Sequence, residues 1–199
     1  PNKNRSLPNT FVALRVKTGG RDPIVHVVEG QVPPPFHGAN GLLLDNTQGP
    51  VGLPRFRHAR FTGGYPFACL ELEDDNIPVL VSLEAFTPFI PLETDDSSIP
   101  VVVFRYRLAN RSKQPVDATL AFSILNAIGY DGQTVLTTNR FEGFGQNITR
   151  FCRDAGFAGL EMTSMKYPAD QVRAGSMALV TTHPVVSAKM AWDSAYPPE

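Results

Sequence analysis

The 199-residue chain carries 18 basic and 19 acidic side chains, a formal net charge of -1, so its charge balance favours neither nucleic acid nor an anionic membrane surface as partner. With 42% hydrophobic residues it can build a sizeable core, and its 18 prolines and 16 glycines suit many strands joined by turns better than disorder. No apolar run approaches the roughly 20 residues that span a bilayer, and no signal peptide is visible. Residues 1–9 are polar and expected to be loose. Thr10–Lys17 then alternates, with Val12, Leu14 and Val16 on one face and Arg15 and Lys17 on the other, which predicts a strand. Turn formers from Thr18 to Pro23 join it to a second β-rich run, Ile24–Glu29, as a hairpin. Gln31–Pro54, with Pro33-Pro34-Pro35 and four glycines, reads as a long irregular excursion of the kind that is usually functional or interfacial.

From Arg55 the strand pattern returns. Ala68, Leu70 and Leu72 alternate with Cys69, Glu71 and Glu73, and Asp74-Asp75-Asn76 reads as the turn that follows. Val79–Leu83 is another strand. In Phe86–Pro100 the prolines at 88, 91 and 100 remove backbone donors and fix φ, so this stretch cannot be an uninterrupted helix or a central strand and reads as a shaped loop. Val101–Leu108 alternates again and is expected to be buried at its start. The turn Asn110–Pro115 suggests that it pairs antiparallel with Val116–Leu125. Asn126–Ala158, rich in glycine and aromatics, reads as loops with a short helical turn. Gly159–Met165, Ser176–Thr182 and Val185–Trp192 close the series as strands. The expected fold is all-β, an antiparallel β-sandwich forming a single domain over residues 1–199. The start at Pro1-Asn2-Lys3 and the linker-like residues 193–199, ending Tyr196-Pro197-Pro198-Glu199, suggest an N-terminal fragment of a larger protein.

Chemical motifs are sparse. Glycoside hydrolysis needs two carboxyl groups about 5–10 Å apart. Glu71 and Glu73 share a strand face at roughly 7 Å, but acids two apart are also the ordinary solvated face of an amphipathic strand. Asp95-Asp96-Ser97-Ser98 suits turn capping first, and contact with a sugar hydroxyl or an ion second. The four histidines, at 26, 37, 58 and 183, lack the spacing that places two imidazoles on one metal, so no metal site and no cofactor is expected. No GxSxG elbow or P-loop is present. Asn4-Arg5-Ser6, Asn110-Arg111-Ser112 and Asn147-Ile148-Thr149 fit the short N-glycosylation pattern. Cys69 and Cys152 read as two free buried thiols, with a single bridge as the alternative. Loop aromatics such as Phe36, Tyr65, Phe67, Phe86, Phe89, Tyr130, Phe141, Phe144 and Tyr167 serve packing, or stack on sugar rings.

Several ordered motifs carry a resemblance. Leu53-Pro54-Arg55-Phe56, Gly63-Gly64-Tyr65-Pro66-Phe67-Ala68, Ile77-Pro78-Val79, Ser82–Leu92, Asp96-Ser97-Ser98-Ile99-Pro100, Phe104–Asn110 and Phe122–Gly132 together resemble the N-terminal domain of glycoside hydrolase family 116, over about Glu29 to Trp192. That family includes non-lysosomal glucosylceramidases and bacterial β-glucosidases. The resemblance implies a β-sandwich packed against an (α/α)6 catalytic barrel of the same polypeptide, which holds the catalytic carboxylates; no catalytic residue is carried over to this chain. Phe86, Phe89, Asp95, Asp96, Ser97 and Ser98 become the candidate barrel-facing or sugar-rim loop, together with Gln31–Pro54. The alternatives are a stand-alone carbohydrate-binding module and a self-contained enzyme using Glu71, Glu84 or Asp96. No nucleic acid and no membrane span are expected.

Overall fold

Alternating runs become strands wherever a neighbour can complete the ladder, and eleven strands make up nearly all the regular structure in the described residues, 10–31, 53–133 and 143–190, of the computed structural model. The expectations for residues 1–9 and 193–199, and nearly all of Gln31–Pro54, lie outside the described residues, as do Phe36, His37 and Phe141. The chain divides after Ser123 into two compact units, each with its own sheets.

The first unit is an all-β sandwich of two sheets. Strand β1 (Phe11–Thr18) forms a hairpin with β2 (Ile24–Gly30), turning through Gly19 at φ +52°, a left-handed angle that glycine adopts without a Cβ clash. On its other side β1 pairs along its whole length with β8 (Val116–Ser123). A two-residue strand, β3 (Arg55–Phe56), joins β2 in parallel, the exception in otherwise antiparallel sheets. The second sheet is a meander of β4 (His58–Gly64), β5 (Phe67–Glu73), β6 (Val79–Phe86) and β7 (Val103–Asn110). Leu14, Val16, Val28 and Phe56 from one sheet meet Leu72, Ile77, Val79 and Val81 from the other. Each such side chain, fully buried, stabilises the fold by about 1.5–3 kcal/mol before chain entropy is counted.

Two expectations fail here. Strands β7 and β8 do not pair: β7 is the edge of the second sheet and β8 the edge of the first. Their connection is an arch, not a hairpin. The Asn110 side chain donates to the Gln114 carbonyl at 2.8 Å and accepts from the Ser112 N–H at 2.9 Å, while the Arg111 N–H donates to the Pro78 carbonyl. Tyr106 and Leu108 from β7 and Val116 and Leu120 from β8 thus approach the same core from opposite sheets. The start of β7 is also exposed instead of buried. Val102, Val103 and Phe104 stand open, and burial begins at Tyr106, because the strand enters the sheet from a loop that nothing among the described residues covers.

The second unit holds a three-stranded antiparallel sheet, β9 (Asn147–Asp154), β10 (Phe157–Ser164) and β11 (Ser176–Thr181), with β10 central. Strand β9 falls where loops were expected. Asn126 pins the preceding loop to the sheet: its amide donates to the Ile148 and Thr163 carbonyls, both at 3.1 Å, and its carbonyl accepts from the Ile128 N–H. Gly159 is needed in β10, since a Cβ there would lie 2.1 Å from the Leu179 carbonyl oxygen. The strand expected at Val185–Trp192 is absent over residues 185–190. There Pro184 offers no donor, and the Val185 N–H turns back onto the His183 ring.

Candidate functional site

The strand pattern places the candidate residues at one end of the second sheet of the first unit. Phe86 closes β6 opposite Val103, and Phe67 stands across from it at the start of β5. Their rings lie 5.3 Å apart, and the Arg105 guanidinium sits 5.6 Å over Phe86 while pairing with Glu84 at 2.5 Å. Beyond the sheet, Tyr65 in the β4–β5 turn meets Phe89 edge-on at 5.1 Å. Such aromatic pairs are worth about 0.5–1.5 kcal/mol beyond the area they bury. Here they tie the loop after β6 to the tip of the neighbouring hairpin.

From Ile90 onward the loop is held chiefly by itself. The Ser97 hydroxyl donates to the Ile90 carbonyl and accepts from the Ile90 N–H, both at 3.0 Å. The short helix α1 (Thr94–Ser97) ends in Ser98, whose N–H donates to the Thr94 carbonyl and whose hydroxyl donates to the Asp95 carbonyl. Ser97 and Ser98 therefore cap a turn, the first of the readings their types suggested. The carboxylates of Glu93, Asp95 and Asp96 are exposed, with no ion pair among the described residues. Leu92 is fully exposed at φ +72°, a left-handed conformation costing a side-chain-bearing residue roughly 1–2 kcal/mol. Phe89, Ile90, Leu92, Glu93, Thr94, Ser97 and Ser98 line an open depression of about 290 Å³. Around it, Tyr65, Phe67, Ile99, Val101, Val102, Val103 and Phe104 are exposed as well.

Of the acids considered for catalysis, Glu71, Glu73 and Glu84 sit on an open sheet face, while Asp96 lies in α1. Glu71 pairs with Arg60 across β4–β5, Glu84 with Arg105 across β6–β7, and Glu73 with Arg111 at 3.2 Å. Glu71 thus serves a cross-strand ion pair, and Glu73 an ion pair to the turn after β7. Asp74, read from the sequence only as a turn residue, is buried. Its carboxylate accepts the Arg57 N–H at 3.1 Å and the Asn76 N–H at 2.9 Å, with His26 Nε2 3.9 Å away. Burial alone would raise its pKa. The two N–H donors and the facing His26 and Arg57 outweigh burial and hold the carboxyl below its ordinary range. His26 packs edge-on against Phe56, and its Nδ1 is buried without a hydrogen bond. Tyr106 is pushed up to about 12 by burial of its phenol.

Both cysteines are free, but neither is buried: Cys69 is half-exposed and Cys152 exposed. Asn110 and Asn147, the described members of the glycosylation patterns, use their amides to brace turns, Asn147 through the carbonyls of Asn126 and Ile128. Tyr130 stacks on Phe144 at 5.1 Å, and Tyr167 lies beneath the cations of Lys166 and Arg173. Among the described residues no three His, Cys, Asp or Glu side chains gather closely enough to hold a metal ion, and no helix is long and apolar enough to cross a membrane.

No curated protein matches the chain. A family model described as beta-glucosidase 2, glycosyl-hydrolase family 116 N-term, matches residues 3–196 and so runs through both units. With a sandwich of the expected class beneath those motifs, the chain belongs to the N-terminal domain family of glycosyl-hydrolase family 116.

Proposed function

We propose that this chain is a non-catalytic β-sandwich domain of a family 116-like β-glucosidase or glucosylceramidase, which supports a separate (α/α)6 barrel that hydrolyses β-glycosides with retention. Both units are read as parts of one module, a reading supported by the family model's extent over residues 3–196. The observation that carries the reading is the fate of the acids. A retaining glycosidase needs one carboxyl as nucleophile and a second, with a raised pKa, as proton donor, held about 5–5.5 Å apart in a site that grips the sugar. Glu71, Glu73 and Glu84 are instead neutralised by arginines on an open sheet face, and Asp95 and Asp96 stand on an exposed turn. Asp74 is buried, but its pKa moves down, the wrong direction for a general acid.

The test is hydrolysis of an aryl β-glucoside by the purified chain. Turnover is expected at background; turnover above background that is lost in Glu71→Gln, Glu84→Gln or Asp96→Asn would overturn the reading. Calorimetric titration with short β-glucosides separates the carbohydrate-binding alternative, which predicts saturable heat that disappears in Phe89→Ala.

A further inference from the structure

The hairpin of β9 and β10 turns through Ala155 and Gly156, the latter at φ +91°, and sets Asp154 directly opposite Phe157. Residues paired in this way share one face of a sheet with Cβ atoms about 4.5–5.5 Å apart, so a carboxylate stands beside an aromatic ring at the end of the sheet. That ring is 51% exposed. The chain leaving β11 passes the same end through Thr182, His183 and Pro184, and together with the hairpin it bounds a hollow of about 270 Å³.

The fold leaves most of the polar capacity of this hollow unspent. One oxygen of Asp154 accepts the Ala155 N–H at 2.6 Å, and the other has no partner among the described residues. Arg153 also lines the hollow but makes no ion pair with Asp154, because successive side chains leave a strand on opposite faces. Its guanidinium lies 5.8 Å over Phe151 and reaches only the Val186 carbonyl, at 3.5 Å. His183 turns Nδ1 to the Val185 backbone, which leaves Nε2 without a partner among the described residues.

These groups select a ligand by exclusion. An anion would meet Asp154, and a cation would meet Arg153. A neutral ligand with an apolar face for Phe157 and a rim of hydroxyls, which donate to Asp154 and accept from Arg153 and His183, uses all of them. A pyranose has that chemistry. The volume lies just below the range of about 300–1,000 Å³ common for drug-sized ligands and so suits a single ring. We propose that this end of the β9–β10–β11 sheet is a subsite for one ring of a neutral saccharide, stacked on Phe157 with its hydroxyls bound by Asp154, Arg153 and His183. The subsite lies wholly within the second unit and does not use Phe89 or the loop after β6.

The test follows the amide resonances of the isotope-labelled chain as methyl β-glucoside is added to about 0.1 M, well above the ~1 mM dissociation constant that a shallow one-ring site reaches. Saturable shifts are expected at residues 153–158 and 181–183, with none comparable at residues 86–98. Phe157→Ala should weaken binding by at least about tenfold and Asp154→Asn by at least about threefold, while Phe157→Tyr, which keeps the stacking face, binds as wild type does. Phe157 and Asp154 are exposed, so the variants should melt with wild type; should Phe157→Ala fail to fold, Asp154→Asn and Phe157→Tyr decide the matter. Absence of saturation, shifts centred on residues 86–98, or unchanged binding in Phe157→Ala or in Asp154→Asn overturns the subsite. Shifts at the same amides with inorganic phosphate but not with the glucoside overturn the ligand class. The proposed function is decided separately, by turnover of the aryl glucoside.

Discussion

Replacing Asp74 by alanine tests how the sandwich is pinned at the end of β5. The side chain is only 2% exposed and accepts two backbone N–H groups, from Arg57 at 3.1 Å and Asn76 at 2.9 Å. Truncation orphans both donors, at about 1–3 kcal/mol each. Removing the desolvated charge and admitting water return part of that, so the net loss should be about 2–4 kcal/mol, a large share of the ~5–15 kcal/mol that holds a domain together. Asp74→Asn keeps one acceptor and should lose roughly half as much. The assay is urea unfolding followed by far-ultraviolet circular dichroism.

The pH dependence provides a second constraint. Since the folded-state pKa of Asp74 lies below the unfolded value near about 3.9, its carboxylate contributes stability that is complete above that value and lost as pH falls through the folded pKa. The difference between wild type and Asp74→Ala should therefore be retained above about pH 5 and shrink below about pH 4. His26, Arg57 and Asp75 face the same group, and only Asp75 among them is a carboxyl, largely open to water. A loss below about 1 kcal/mol at pH 7, or a loss undiminished at pH 3, would refute the reasoning.

Gly159→Ala places a Cβ within 2.7 Å of the Val180 Cα as well as against the Leu179 carbonyl, so the β10–β11 ladder must open; a loss of about 1–3 kcal/mol is expected, seen as faster amide exchange along β11. Leu72→Ala empties a fully buried position and should cost about 2–5 kcal/mol in the same unfolding assay, whereas Leu92→Ala should stay within about 0.5 kcal/mol. In alkaline titration followed by ultraviolet absorbance, one tyrosine should ionise late, near about 12, and Tyr106→Phe should remove that step. Because that folded pKa is raised, the stability linked to Tyr106 is complete below the unfolded value of about 10 and falls as pH rises toward the folded one.

Where one face of a strand is buried, its position can be read from the residues. Leu14 and Val16, or Leu70 and Leu72, alternate with charged residues because the core accepts only one side of the pleat. Strand β4 escapes such a reading because every one of its residues is exposed at a sheet edge, so alternation has nothing to report. Strand β9 runs Ile148-Thr149-Arg150-Phe151-Cys152-Arg153, with polar and apolar residues on both faces, and is recognised only by its ladder with β10. Pairing was the less legible property. The residues of β7 and β8 suit a hairpin as well as an arch, and the choice lies in the Asn110 and Arg111 hydrogen bonds to Gln114 and Pro78, and in the free side of β1. In the candidate loop, the prolines announced a shaped segment and Ser97–Ser98 a capped turn. The left-handed Leu92 could not be foreseen, since nothing in the residue type favours that conformation.

The second sheet keeps its ion pairs and its exposed apolar surface in different places. Its two edges are β4 and β7, and exposed edges are ready templates for another strand. Arg60 on β4 and Arg105 on β7 each pair across the sheet face with a glutamate of the inner strand beside it. The apolar residues gather at that end, around a turn stiffened by serine hydrogen bonds and flanked by uncompensated acids. Ion pairs thus lie along the edge strands, and exposed apolar side chains lie at one end of the same sheet.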